Sequence, residues 1–223
     1  LSFILNIETA TKNCSVAIAK NGETLLCREI AEEGYSHAEK LHGFIESVLK
    51  ETKINVHDLN AVAVSQGPGS YTGLRIGVSA AKGLCYALQI PLIAVDTLHT
   101  LASKAKVSDG KIIAMLDARR MEVYSEVFST DLKPERAIQA EIITEESYAD
   151  YDGILYFVGD CAEKCKAVLT KENFIFLEDI KYPSANEMSK ISYEKFQIGD
   201  TVDVAYFEPY YLKDFIITTS KKQ

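Results

Sequence analysis

The sequence predicts an α/β protein of two lobes, each a mixed sheet with flanking helices, the second lobe reduced. Three observations predict it. Over residues 3–103, apolar runs and helical stripes follow the order strand, strand, strand, helix, strand, helix, strand, helix, which calls for crossover helices between parallel strands. A polar, turn-rich stretch, 103–111, then breaks the pattern. Beyond it the chain starts again as it began, on an apolar run that ends at an acid: residues 3–7 lead to Glu8, and 112–116 lead to Asp117. The expected division is therefore 1–105 and 106–223, with a tail from about residue 207 packing back as an arm.

Each element has a local reason. Strands at 14–19 and 24–30 flank Lys20-Asn21-Gly22, and Asn-Gly between β-rich runs signals a tight hairpin. From Ser36 the period changes: Ser36 with Glu39 fits a capping box, and Leu41, Phe44, Ile45, Val48 and Leu49 make a wide apolar stripe on a helix over 37–51. A buried strand at 59–64 runs into GPGSYTGLRIG, from Gly67 to Gly77, where proline between glycines enforces a turn before a second helix ending near Leu88. Thr72 is the expected cap of that helix. Gly73 and Gly77 each cost about 0.5–1 kcal/mol relative to alanine in a helix, so they call for close approach of another backbone, from the chain's own sheet or from a second chain. A strand at 90–95 and a short helix at 97–103 complete the first lobe. In the second, strands are expected at 112–116, 122–128, 137–143 and 154–158, and helices at 162–169 and 187–196.

Composition narrows the function. A formal net charge of -8 argues against a broad basic surface gripping nucleic acid unaided, and Arg119-Arg120 and Lys221-Lys222 are too short to form one. No apolar run is long enough to span a bilayer, and the first residues lack the charged opening and cleavage site of an export signal, so the expected location is cytoplasmic. Five cysteines, an odd number, suit reduced thiols. Cys161 and Cys165 share a helix face, but no third or fourth ligand lies near in sequence.

Candidate chemistry centres on the strand-tip acids. Glu8 and Asp117 could face a cleft and hold a metal-bound phosphate, or simply cap turns. The Gly67–Gly77 junction places N–H groups at a helix start, yet it has no P-loop lysine, and Ser70 in GPGSY does not match the G-x-S-x-G nucleophile elbow. His37 and His42 are five apart, on different helix faces, which does not suit paired metal ligands. Arg75 interrupts a small-residue surface and could pair with Asp96 or a carbonyl, or meet a ligand or partner. Arg119 and Arg120 divide between pairing with Glu122 and serving an interface.

The runs ILNIETAT, CSVAIAKNG, AVAVSQGPGSYTGLRIGVSAAKGLCYALQIPLIAVDTL and IIAMLDARRMEVY resemble the bacterial TsaB proteins, also called YeaZ. The likeness is specific to about Tyr124, fades, and returns around PYYLKDF. It implies the actin-like/RNase H-like ATPase fold of the actin, sugar-kinase and Hsp70 superfamily. It also implies a non-catalytic paralogue that binds the TsaD threonylcarbamoyl transferase and, with the ATPase TsaE, supports N6-threonylcarbamoyladenosine formation at tRNA position 37. The catalytic relative's metal-binding histidine pair falls in the helix of His37 and His42, where the spacing here is wrong; no metal site is expected. Self-association and TsaD binding are implied through the first two helices, with Leu41, Phe44, Ile45, Val48, Gly73, Leu74, Gly77, Ala80, Ala81 and Leu84 as the interface. A vestigial cleft with weak nucleotide binding is implied at Glu8, Gly67, Gly69, Ser70, Arg75, Asp117, Arg119 and Arg120, ATP and magnesium being used by the partner proteins. Contact with tRNA is expected through the complex. The competing readings are a small-molecule kinase or ATPase using a magnesium-nucleotide cleft, and more remotely a metallopeptidase.

Overall fold

A computed structural model describes residues 1–32 and 37–212. The first sheet opens as a meander of β1 (Phe3–Glu8), β2 (Asn13–Lys20) and β3 (Glu23–Ala31). It turns at Asn21 and Gly22, both with positive φ, as an Asn-Gly hairpin requires. Then α1 (His37–Thr52) crosses over to β4 (Ala61–Gly67), and α2 (Tyr71–Leu88) crosses to β5 (Leu92–Asp96). The order is β3-β2-β1-β4-β5, with β1 antiparallel to β2 and parallel to β4, and β4 parallel to β5. Ser36 lies outside the described residues, and with it the expected capping box.

The second sheet repeats the plan. Strands β6 (Lys111–Asp117), β7 (Glu122–Ser129) and β8 (Pro134–Ile142) form a meander, and β9 (Leu155–Val158) and β10 (Phe174–Phe176) add in parallel, giving β8-β7-β6-β9-β10. The shared acid at the end of the first strand thus reflects one topology used twice. The second version is reduced: α4 (Ala162–Lys166) stops short of the expected residue 169, and turns over 144–152 stand where the first lobe has α1. Strand β10 had no sequence signal, being only Phe-Ile-Phe.

The lobes exchange helices. After β5, α3 (Thr97–Ala102) leaves its sheet and packs Leu98, Leu101 and Ala102 against Ile112, Ala114 and Phe128 of the second. After β10 the chain returns α5 (Ala185–Gln197) to the first sheet, where Ala185, Met188 and Ile191 cover Ile4, Ala17, Ala63 and Ile93. Serines hold α5 there as well: Ser192 Oγ donates to Asn6 Oδ1 at 2.6 Å, and the Ala185 amide donates to Ser15 Oγ at 3.0 Å. The expected second lobe, 106–223, therefore differs from the packing, because α5 and Val202, Val204 and Phe207 after it pack on the first sheet.

The opposite face of the first sheet carries α1 and α2. Leu41 and Val48 of α1 and Val78, Ala81 and Cys85 of α2 meet Leu5, Ile7, Val16, Val62 and Val64. Each large side chain so buried is worth about 1.5–3 kcal/mol. Ser70, rather than the expected Thr72, caps α2, its Oγ accepting from the Gly73 amide at 3.2 Å. The reason is that the helix already starts at Tyr71, which leaves Ser70 as the non-helical residue before it.

Here the glycines act. A Cβ on Gly73 would lie 2.1 Å from the Thr9 carbonyl oxygen, and one on Gly77 would lie 2.2 Å from Thr9 Oγ1. Both glycines face the chain's own turn after β1, which corrects their expected place in an interface. Gly83, on the outer face of α2, has nothing within 4 Å of its hypothetical Cβ. Gly73→Ala is expected to destabilise the fold by about 1–3 kcal/mol through overpacking against backbone. Gly83→Ala is expected to stabilise it by about 0.5–1 kcal/mol through helix propensity. Thermal and urea unfolding of the two variants checks the opposite signs.

Candidate functional site

Two concave surfaces flank α2. The first is an open groove of about 800 Å³ between the outer faces of α1 and α2, lined by Ala38, His42, Ile45, Tyr71, Thr72, Arg75, Ile76, Ser79, Ala80, Gly83 and Leu84. It exists because α2 is apolar or small on both sides. Gly73, Leu74, Gly77, Val78, Ala81 and Cys85 fill the inward side, which leaves Thr72, Arg75, Ile76, Ser79, Ala80 and Gly83 outward at helical spacing. Of the expected interface residues, Ile45, Ala80 and Leu84 line the groove. Leu41, Val48 and Ala81 are fully buried against the chain's own sheet, Leu74 is buried beside Gly67, and Phe44 is half-buried on that core. The apolar stripe in the sequence marks the inward face. The outward one is betrayed only by small residues between charges.

The second surface is the cleft between the lobes, about 590 Å³, walled by Ala10, Thr11 and Lys12 after β1, by Pro68 to Thr72, by Leu116 to Arg119 with Tyr124 and Asp160, and by Tyr210, Tyr211 and Leu212. Gly69, Ser70, Asp117 and Arg119 lie where the cleft was expected. The other four do not line it. Gly67 is buried under the returning chain, its Cβ position 2.7 Å from the Tyr210 carbonyl oxygen. Arg75 faces the groove, lying over the Tyr71 ring at 4.4 Å and donating from Nε to Tyr211 Oη at 3.3 Å, while Asp96 is held by Gln66 Nε2 at 2.6 Å. Arg120 sits with Arg119 at the tip of the β6–β7 hairpin, both with positive φ. Lys164 braces that tip, its Nζ donating to Asp117 Oδ1 at 2.5 Å, to the Arg120 carbonyl at 2.7 Å and to the Glu122 carbonyl at 2.9 Å.

Glu8 is the strongest departure. It is fully buried beneath the turn, where Oε1 accepts from the Ala10 amide at 2.6 Å. Burial pushes its carboxyl up from an ordinary 4.5 to about 7, against the opposing pull of the Ala10 amide, the Ser65 hydroxyl and Lys104. His37 is buried too, with Nε2 at 2.7 Å from the Thr11 carbonyl, so Nε2 carries the proton and donates. His42 is exposed in the groove.

The family model of TsaD, tRNA N6-adenosine threonylcarbamoyltransferase, matches residues 29–214. The tRNA threonylcarbamoyladenosine biosynthesis protein TsaB of Escherichia coli (strain K12) is 32% identical, over 95% of this chain and 94% of its own. The chain belongs to the TsaB family. YeaZ from Pseudomonas aeruginosa superposes with a TM-score of 0.84 over 95% of this chain and 100% of its own, at 24% identity, which speaks to the fold. A second solved structure, of a protein with similarity to peptidase YeaZ from Pseudomonas aeruginosa, gives a TM-score of 0.81 at 26% identity, over 96% and 100% of the two chains. The two-lobed, actin-like architecture expected from the resemblance is the one these structures share.

For a TsaB-family chain, the fate of the superfamily's nucleotide chemistry can be read residue by residue. A magnesium-nucleotide needs carboxylates free to face the cleft. Glu8 points into protein, Asp117 is taken by Lys164 and the Arg119 amide, and Asp160 accepts from the Asp117 amide at 2.9 Å. Among the described residues, no three His, Cys, Asp or Glu side chains are placed to hold a metal ion. Each of these three carboxylates is bonded within the chain.

Glu8 makes a pH prediction. Its folded pKa lies above its unfolded value, so its contribution is fully present below about pH 4.5 and is lost as pH rises through 7. Glu8→Gln keeps the acceptor for Ala10 and removes the charge. It is expected to be more stable than the wild type at pH 8 by on the order of 3 kcal/mol, the gap closing below pH 4.5. Urea unfolding at both pH values measures it; a pH-independent gap contradicts the assignment.

Proposed function

We propose that this chain is the non-catalytic accessory subunit of tRNA threonylcarbamoyladenosine biosynthesis, docking a TsaD-like transferase on the groove between α1 and α2. Membership of the TsaB family supports the pathway, and the orientation of α2 supports the surface. One observation carries the docking reading. Gly83 sits mid-helix on the groove wall, exposed, with nothing of its own chain near it. Gly43 of α1 is also exposed with nothing near it, although it does not line the groove. A helix that bears glycine's cost without internal contact suits close approach by another chain's backbone.

The same groove serves self-association when the transferase is absent. A TsaE-like ATPase joins the assembled complex, tRNA is met through that complex, and the location is cytoplasmic. Among the described residues, no helix is long and apolar enough to cross a membrane. The subunit's contribution is positional: Glu8, His37 and the cleft carboxylates bond within the chain, so nucleotide binding in the cleft is at most weak and the chemistry stays with the partner.

Gly83→Arg tests this cleanly, because arginine is a better helix former and nothing in the chain opposes it. The variant is expected to melt at or above the wild-type temperature and to lose the complex with its own organism's TsaD homologue by at least about tenfold in Kd, read by analytical ultracentrifugation. Wild-type affinity in the variant removes the groove from the interface.

A further inference from the structure

After α5 the chain does not end at the second lobe. Val202 pairs with Leu92 on the edge of the first sheet, and Val202, Val204 and Phe207 pack on its core. Lys82 Nζ donates to the carbonyls of Ala205 at 3.1 Å and Phe207 at 3.0 Å. The Tyr210 amide donates to the Gln66 carbonyl at 2.7 Å. This strap therefore lies along α2 on the side away from the groove and delivers Tyr211 into the cleft wall. There its ring meets Tyr71, centroids 5.0 Å apart, and its hydroxyl accepts from Arg75 Nε.

Tyr71 and Thr72 line both concave surfaces, whereas Arg75 lines only the groove and Tyr211 only the cleft. Arg75 is thus held by a residue of the other surface. A free arginine at an interface loses about 2 kcal/mol of rotamer freedom when a partner fixes it. This one is already fixed, by the face of Tyr71 beneath it and the hydroxyl of Tyr211 at Nε. With Nε–H engaged, the side of the guanidinium that combines Nε with one terminal nitrogen is closed to a bidentate carboxylate. The end-on fork of the two terminal nitrogens remains, and it matches a carboxylate.

We propose that Tyr211 is a positioning residue for the groove: through Arg75 it presets a guanidinium fork that receives an acidic side chain of the docked partner. Groove affinity and strap docking are then linked, each strengthening the other by the same factor. The proposal rests on the docking reading above and adds the partner's chemistry to it.

The test is a double-mutant cycle on the complex of the full chain with its TsaD homologue. Tyr211→Phe keeps the ring on Tyr71 and removes only the acceptor. It is expected to weaken the complex about fivefold in the wild-type background, the worth of one net hydrogen bond, and to have no effect in an Arg75→Ala background. Melting temperatures are measured alongside, and Tyr211→Phe is expected to leave them within a degree or so, since the bond it removes is exposed. Amide exchange over residues 206–212 is expected to slow when the partner binds. Gly83→Arg separates the two readings. If it leaves the complex intact, docking on the groove fails and this proposal falls with it. If it abolishes the complex while Tyr211→Phe binds like the wild type, or weakens binding equally with and without Arg75, the positioning role alone is overturned.

Discussion

The structure depends on the contact between the turn after β1 and the inward face of α2. The Ser70 amide donates to the Ala10 carbonyl at 2.7 Å, Thr9 Oγ1 donates to the Gly73 carbonyl at 2.8 Å, and glycines at 69, 73 and 77 leave no side chain between helix and turn. A helix can come this close to a turn only where Cβ atoms are absent. Because α2 is pressed onto the sheet, its other side is turned outward beside α1, and the groove is the direct result. The same contact seals Glu8 beneath the turn, where its carboxyl bonds to the Ala10 amide and is kept from the cleft.

A Glu8 turned away from the cleft and an outward groove on α2 are then two consequences of one packing decision. The loops after β1 and β6 wall the cleft between the lobes. Here the first wall bonds to α2, and the second is braced from behind by Lys164. The helices exchanged between lobes, α3 onto the second sheet and α5 onto the first, tie the halves into one body. The strap returning to Gln66 and Arg75 completes the first lobe from the far end of the chain.

Much of this was legible in the residues. Apolar runs and the Asn-Gly turn marked β1 to β3, the wide apolar stripe marked α1, and the repeated strand-to-acid pattern marked two lobes of one design. The face of α2 was not legible: with small and apolar residues all round, 73, 77 and 81 read as well for an interface as 76, 80 and 83. Only the position of Thr9 decides, and that is a contact across more than sixty residues of chain. The helix exchange was hidden for a similar reason, since Met188 and Ile191 carry no mark of which sheet they cover. Arg75 was flagged as odd without its partner, because Tyr211 lies 136 residues away.

The most direct measurement is site-specific photo-crosslinking with the transferase present. A benzoylphenylalanine at position 42, where an exposed histidine already lines the groove, is predicted to form a covalent adduct with the TsaD homologue on irradiation, while the same probe at position 119, in the cleft wall, forms none. Adducts from position 119 with none from position 42 would place the partner on the cleft and contradict the account.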